Sequence, residues 1–152
     1  MTAAIIAFKS QGRTATKHWF AGLLAPLLQT YLLVHPNLIL VSMPSRKAAL
    51  KKRGFDHGRA LALAVQRKTG VATPKNLLKF AREAKDQRNL SSASRASNLA
   101  GSMVATSCAQ PTVLIDDVIT TGATLIEARR ALEAAGVRVI GFITIAETLS
   151  KN

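Results

Sequence analysis

The chain has 152 residues, 48% of them apolar and 19% charged, with 21 Lys and Arg against 8 Asp and Glu. That length supports one domain, residues 1–152, with a proper core, and the balance excludes a disordered or fibrous chain. The single cysteine, Cys108, excludes a disulfide framework or cysteine zinc site within these residues, and no cleavable export leader stands at Met1, so a cytoplasmic protein is expected. The net charge of +13 is concentrated: residues 43–95 carry 14 Lys and Arg against three acids, Asp56, Glu83 and Asp86. A segment this basic is either a solvated surface or the face of an anionic partner, nucleic acid or protein.

Thr2–Lys9 is short and apolar and reads as the end of a helix, broken by Gln11-Gly12-Arg13. From Thr14 to His35 the residues Trp19, Leu23, Leu24, Leu27, Leu28, Tyr31 and Leu32 form a helical stripe. The apolar run from Trp19 to Val34 is shorter than the roughly 20 residues a span requires and contains Pro26, Gln29 and Thr30. A buried helix, bent or split near Pro26, is expected, without membrane insertion. Leu38-Ile39-Leu40-Val41 predicts a buried strand. The turn leaving it carries Pro44, Ser45, Arg46 and Lys47, which could hold an anion with backbone N–H donors and two cations or be a ligand-free basic loop. The basic run Lys51-Lys52-Arg53 leads through Gly54-Phe55-Asp56-His57-Gly58 into a helix over Arg59–Lys68. Leu61, Ala64 and Val65 are its inner face and Gly70 its stop, while Asp56 suits an N-cap.

Leu77–Phe80 reads as a short strand. The polar stretch from Ala81 to Asn98, with Arg82, Lys85, Gln87, Arg88 and Arg95, reads as a lid or a solvated connection, with a helical turn or two at Ser91–Ser97. Met103–Ala109 carries no clear signal, and Cys108 there is expected to be a small packed residue. Val113-Leu114-Ile115 is an apolar run suited to a strand buried on both faces, and Asp116 and Asp117 follow where such a strand should end. Leu125, Ala128, Leu132 and Ala135 then mark a helix, with Glu127, Arg130 and Glu133 on another face and Gly136 as its stop. Val137–Ala146 is the last core strand, completing a βαβ unit.

The segment Thr120-Thr121-Gly122-Ala123-Thr124 therefore opens a helix. Its unpaired N–H groups, the positive dipole end and three hydroxyls suit a phosphate, which Gly122 lets come close to the backbone. Two full charges about 5 Å apart at an effective dielectric of about 20 repel by roughly 3 kcal/mol, so acids beside a phosphate need a cation or hydroxyl donors. A sugar phosphate with Mg²⁺ supplies both, with its phosphate in the loop and its hydroxyls at the acids along one sheet edge.

This stretch resembles the 5-phosphoribosyl-1-pyrophosphate (PRPP) signature of the type I phosphoribosyltransferases. The resemblance implies an α/β fold with a mostly parallel central sheet flanked by helices. It implies Asp116 and Asp117 as catalytic residues that meet the ribose hydroxyls and Mg²⁺, directly or through water, and steady an oxocarbenium-like C1′. It implies Thr120, Thr121, Gly122, Ala123 and Thr124 as the 5′-phosphate loop and Pro44, Ser45, Arg46 and Lys47 as the pyrophosphate loop. Residues 81–98 correspond to the hood that closes over PRPP.

The proline after the Leu38–Val41 strand, the basic run, Arg53-Gly54-Phe55 and the following Leu- and Ala-rich helix resemble the ComF family, as does the spacing of Gln87, Leu90, Arg95 and Asn98. ComF proteins are phosphoribosyltransferase-like and associated with natural competence and DNA uptake. Their usual Asn-Gln after Arg-Gly-Phe is Asp56-His57 here. Many carry an N-terminal four-cysteine zinc module to which nothing in these residues corresponds; the chain is either a variant lacking it or part of a longer protein. The expected function is Mg-dependent phosphoribosyl transfer to an acceptor for which no base- or amine-binding motif is recognisable. The alternative is a non-catalytic factor binding single-stranded DNA on the same scaffold, with contacts from Lys51, Lys52, Arg53, Arg82, Lys85, Gln87, Arg88 and Arg95. Only Phe55 and Phe80 offer stacking there. A homodimer is among the expected assemblies.

Overall fold

The computed structural model of the chain describes residues 14–81 and 99–147. Helix α1 (Thr14–Val34) leads to strand β1 (Ile39–Ser42), the short helix α2 (Lys47–Arg53) and helix α3 (His57–Thr69). Strands β2 (Leu78–Phe80), β3 (Met103–Ala105) and β4 (Thr112–Ile119) follow, then helix α4 (Ala123–Ala134) and strand β5 (Val139–Glu147). The central sheet has the order β1-β4-β5 and is parallel throughout, while β2 and β3 form a separate antiparallel pair. This is the expected α/β architecture, with helices on both faces of a parallel sheet.

Side chains alternate along β4 and so divide the core into two layers. Val113 and Ile115 pack with Phe20, Leu24 and Leu28 of α1 and Leu61 and Val65 of α3. Leu114 packs on the other face, with Ala128, Ala131 and Leu132 of α4 and with Leu78 and Met103 of the β2–β3 pair. Helix α1 corrects an expectation. It is not split at Pro26, and its buried face is Phe20, Ala21, Leu24, Ala25 and Leu28, while Trp19, Leu23 and Leu27 are exposed. The four-residue repeat placed both stripes on plausible inner faces, and only packing on α3 and β5 chooses between them.

Three further differences each have an identifiable cause. The basic run after β1, to which the sequence pattern assigns no element, belongs to a helix ended by Gly54 at φ 74°, whose N–H returns to the Leu50 carbonyl. Met103–Ala105, which carries no sequence signal, is a strand because it pairs with Leu78–Phe80. Glu127, read as lying on another face than the apolar stripe, is 3% exposed. Its Oε1 accepts from the Met103 amide (2.9 Å) and from Arg130 Nη2, while Arg130 Nε donates to Oε2; Arg130 Nη2 also donates to the Met103 carbonyl (3.0 Å). One turn of α4 thus grips both backbone groups of the first residue of β3. The Arg130 hydrogen bond is the largest cause holding the Glu127 carboxyl down at about 2, with the Met103 and Gly101 amides assisting against a desolvation that would raise it.

Helix α4 ends as the pattern requires. Gly136 takes φ 76°, with its N–H bonded to the Glu133 carbonyl and that of Val137 to the Leu132 carbonyl, a Schellman closure that turns the chain into β5. The expected helix end at Thr2–Lys9, and the proposed lid with Arg82, Lys85, Gln87, Arg88 and Arg95, lie outside the described residues.

Candidate active site

The strand carrying the acid pair does not stop before them. β4 continues through Asp116 and Asp117 because β5 still pairs with it there, Asp116 opposite Thr144 and Val118 opposite Ala146. On the other side the ladder with β1 ends at Ile115 opposite Ser42. The acids therefore stand one step past the C-terminal end of β1, on a strand stiffened along its other edge. Thr144 Oγ1 also donates to the Asp117 carbonyl (3.1 Å).

Being consecutive in a strand, the two carboxylates lie on opposite faces of the sheet. Asp117 continues the Val113–Ile115 row toward α3 and is 3% exposed, with His57 Nε2 at 3.2 Å from its Oδ2. Asp116 continues the Leu114 row toward α4 and is half-buried. Each accepts one backbone amide locally: Asp116 Oδ1 from the Asp117 N–H (2.8 Å) and Asp117 Oδ1 from the Val118 N–H (2.7 Å). Of the pair, Asp117 is thus the enclosed acid and Asp116 the more open one.

The threonine-glycine segment lies directly after β4, with Thr120 and Thr121 exposed and Gly122, Ala123 and Thr124 half-buried. Gly122 is the N-cap of α4 at φ 73°, and no side chain caps the helix. The Ala123 amide reaches Thr121 Oγ1 only at a long 3.5 Å, and no acid occupies the first turn. The start of α4 thus has donors and a positive dipole end, and among the described residues no side-chain cap or first-turn acid uses them. Among the described residues, its chain neighbours aside, nothing lies within 4 Å of where a Cβ at Gly122 would stand, so glycine is required there by its left-handed backbone rather than by crowding.

The segment after β1 is built from the residues that follow it. Ser45 Oγ donates to Asp56 Oδ1 (3.0 Å), and the same oxygen accepts from the Arg59 amide (3.1 Å), so Asp56 caps α3 and anchors the loop at once. Gly58 is buried where a Cβ would lie 3.2 Å from the Met43 carbonyl, which brings the start of α3 against the exit of β1. His57 can reach Asp117 for that reason. Asp56-His57 therefore connects two segments that sequence reasoning treated separately. The cap was legible from residue type, whereas the reach to Asp117 depends on how α3 sits on the sheet.

Pro44, Ser45 and Arg46 are half-buried and Lys47 is exposed as the first residue of α2. Lys51 is exposed on α2, and Lys52 and Arg53 complete that helix. The loop itself lines a cleft of about 500 Å³, where Pro44, Ser45, Arg46 and Lys47 stand with Val41 and Ser42 at the end of β1 and with residues leading into β2. Neither the acid pair nor the Thr120–Thr124 loop lines it. It is nevertheless adjacent: Val41 pairs with Leu114 and shares its layer, and Asp116 is the next residue of β4 on that face.

Among the described residues no group of three or more His, Cys, Asp or Glu side chains could hold a metal. The donor set suits a cation bound mainly by a substrate's own oxygens with one or two carboxylates, which is how Mg²⁺ usually binds beside phosphates. No helix among the described residues is long and apolar enough to cross a membrane.

Comparison with known proteins bears on this geometry. Residues 48–152 match the phosphoribosyl transferase domain family. An adenine phosphoribosyltransferase of Polynucleobacter asymbioticus is 36% identical over 103 residues, 68% of this chain and 58% of the relative, so the match spans little more than half of that protein. Among solved structures, UMP synthase of Leishmania donovani superposes with a TM-score of 0.55 at 20% identity, covering 90% of this chain and 23% of the other. The adenine phosphoribosyltransferase of Saccharomyces cerevisiae covers 93% of this chain and 72% of its own at a TM-score of 0.47 and 13% identity. The chain belongs to the phosphoribosyl transferase domain family.

Proposed function

We propose that this protein is a ComF-like phosphoribosyltransferase of the cytoplasm that binds PRPP with Mg²⁺ and transfers its phosphoribosyl group to an acceptor, in a setting of DNA uptake. The observation that carries this reading is the uncapped, glycine-led start of α4 standing immediately beyond a strand that bears a half-buried Asp116. The 5′-phosphate takes the amides and hydroxyls of Thr120–Thr124, and the ribose lies back toward Asp116. The Pro44–Lys47 segment faces the pyrophosphate with backbone donors and two cations. Mg²⁺, when bound, neutralises pyrophosphate charge.

In the transfer, the bond between C1′ and the pyrophosphate oxygen breaks, with the electron pair leaving on pyrophosphate. A nucleophilic atom of the acceptor forms its bond to C1′ and gives up its proton. Asp116 offsets positive charge growing on the ribose, and Asp117, held from the opposite face near His57, keeps β4 in place. The rate gain is one of positioning and electrostatics.

Calorimetric titration with PRPP and Mg²⁺ tests this. The double variant Asp116→Asn, Asp117→Asn should lose measurable binding, and unchanged affinity would discard the site. A homodimer would cover the exposed Trp19, Leu23 and Leu27 of α1, and sedimentation reads that directly.

A second reading, a DNA-binding factor on the same scaffold, draws on the exposed Lys47, Lys51, Lys75 and Lys79. For single-stranded DNA, log affinity should then fall by about 0.7 per log unit of salt for each phosphate contacted. A flat dependence removes it.

A further inference from the structure

Asp56, His57 and Gly58 are consecutive at the start of α3, and each meets a different part of the proposed site. Asp56 Oδ1 accepts from the Ser45 hydroxyl (3.0 Å), inside the segment proposed for pyrophosphate. His57 Nε2 lies 3.2 Å from Oδ2 of Asp117, on the strand that bears the acid pair. Gly58 is buried where a Cβ would stand 3.2 Å from the Met43 carbonyl oxygen, so α3 begins flush against the exit of β1. The turn that carries them is fixed in its own right. Asp56 also accepts from the Arg59 amide (3.1 Å), and Arg59 Nη1 donates to the carbonyls of Thr73 (2.8 Å) and Pro74 (3.1 Å). The Phe55 ring meets the His57 imidazole edge-on, with centroids 6.5 Å apart. Side chains locked in this way by packing and neighbouring hydrogen bonds hold a partner to within about 0.5 Å.

The segments so joined part company at this point. The Met43 N–H donates to the Ile115 carbonyl (3.1 Å), one step past the last paired residues, Ser42 and Ile115. Beyond it the chain turns away through Pro44, Ser45 and Arg46 into α2, while β4 runs on through Asp116 and Asp117 beside β5. The start of α3 touches both branches after they separate.

From these contacts we infer that His57 is a positioning residue: with Asp56 it spans the pyrophosphate segment and the acid-bearing strand and sets how far apart they stand. His57 touches no substrate; it acts through Asp117 on the strand that presents Asp116. PRPP is one ligand anchored at both ends, so its affinity depends on that separation. Pyrophosphate alone, or ribose 5-phosphate alone, engages one side and is indifferent to it. This rests on the phosphoribosyl-transfer reading, which assigns the two ends of PRPP to the two segments.

Calorimetry on the intact chain with Mg²⁺ tests this, using PRPP, pyrophosphate and ribose 5-phosphate in separate titrations at one pH and matched folded fraction. His57→Gln and His57→Asn are the informative pair. The Gln amide nitrogen reaches where Nε2 stands, whereas that of Asn falls at the place of Nδ1, short of Asp117. His57→Asn should weaken PRPP about tenfold, leave pyrophosphate and ribose 5-phosphate within about twofold of the parent, and be rescued for PRPP by His57→Gln. Joining His57→Asn to Asp56→Ala should cost PRPP little more than the larger single loss, because breaking either end frees the same bridge. A similar loss for all three ligands overturns the inference and leaves His57 as a support of the fold. Unchanged PRPP affinity in His57→Asn, a Gln variant no better than Asn, or fully additive losses in the double variant overturn it as well. If the unmodified chain binds none of the three ligands, the transfer reading falls and this inference with it; PRPP binding by the parent that every His57 variant retains removes this inference alone.

Discussion

Nε2 of His57 lies 3.2 Å from Oδ2 of Asp117, so the first residue of α3 meets the enclosed acid of β4. Both side chains are largely shielded, at 12% and 5% exposure, and a carboxylate taken from water needs its polar neighbours. His57→Leu removes one of them and should lower unfolding free energy by about 1–3 kcal/mol. His57→Gln, which keeps a donor, should recover most of that loss. Chemical denaturation of the two variants separates the effects, and equal stability would mean that the contact contributes only packing.

Asp56 holds two segments with one carboxylate oxygen, capping α3 at the Arg59 amide and receiving the Ser45 hydroxyl. Loss of such a cap costs about 0.5–2 kcal/mol, so Asp56→Ala should fall in or slightly above that range because the Ser45 anchor goes with it. Asp56→Asn retains an acceptor oxygen and should remain near the parent. If binding of PRPP uses the Ser45 segment, Asp56→Ala should weaken it while Asp56→Asn does not, measured by titration at matched folded fraction.

Most of the architecture was legible because it follows from local chemistry. The apolar runs at Leu38–Val41 and Val113–Ile115 are buried strands, Gly70 and Gly136 end their helices in left-handed conformation, and Asp56 is a cap. What was hidden depends on partners distant in sequence. β3 exists because Leu78–Phe80 pairs with it, and Glu127 is buried because Met103 offers it an amide. The site divided in the same way. Thr120–Thr124 at a helix start could be read from residue order, whereas the separation of Asp116 from Asp117 required knowing that β5 carries the strand past them. Nothing in their order distinguishes a turn at the strand end from two more pleats.

Gly122 separates conformational cost from ligand cost. Its φ of 73° penalises any Cβ, but that Cβ would crowd no described residue beyond its chain neighbours, so Gly122→Ala should cost only about 1–2 kcal/mol of stability. A phosphate seated on the α4 amides would feel the added methyl and the shifted backbone directly. The expected result is a variant that folds with a modestly lower midpoint yet loses PRPP affinity by more than the lost stability explains. Parallel denaturation and calorimetry would show it, and unchanged PRPP affinity would move the 5′-phosphate away from this loop.

Glu127 makes a pH-dependent contribution at a distance from the acid pair. Its carboxyl is held near 2 in the folded chain against 4.5 ordinarily, chiefly by Arg130. A group whose folded value is depressed stabilises the fold while both states are ionised, and that stabilisation declines once the unfolded chain begins to take up a proton. The contribution is therefore complete above about pH 5, falls through the window from 4.5 to 2, and is gone below it. A shift of this size would correspond to about 3 kcal/mol, reduced to about 2 because the Arg130 side chain is half in solvent and screened. Glu127→Gln keeps an oxygen for the Met103 amide while removing the charge, so it isolates this electrostatic part. The parent should exceed the variant by about 2 kcal/mol at neutral pH, and the two denaturation curves should converge as pH approaches 2. A gap that stayed constant with pH would assign the loss to packing of α4 on β3, because only the ionised pair with Arg130 responds to protons in that window.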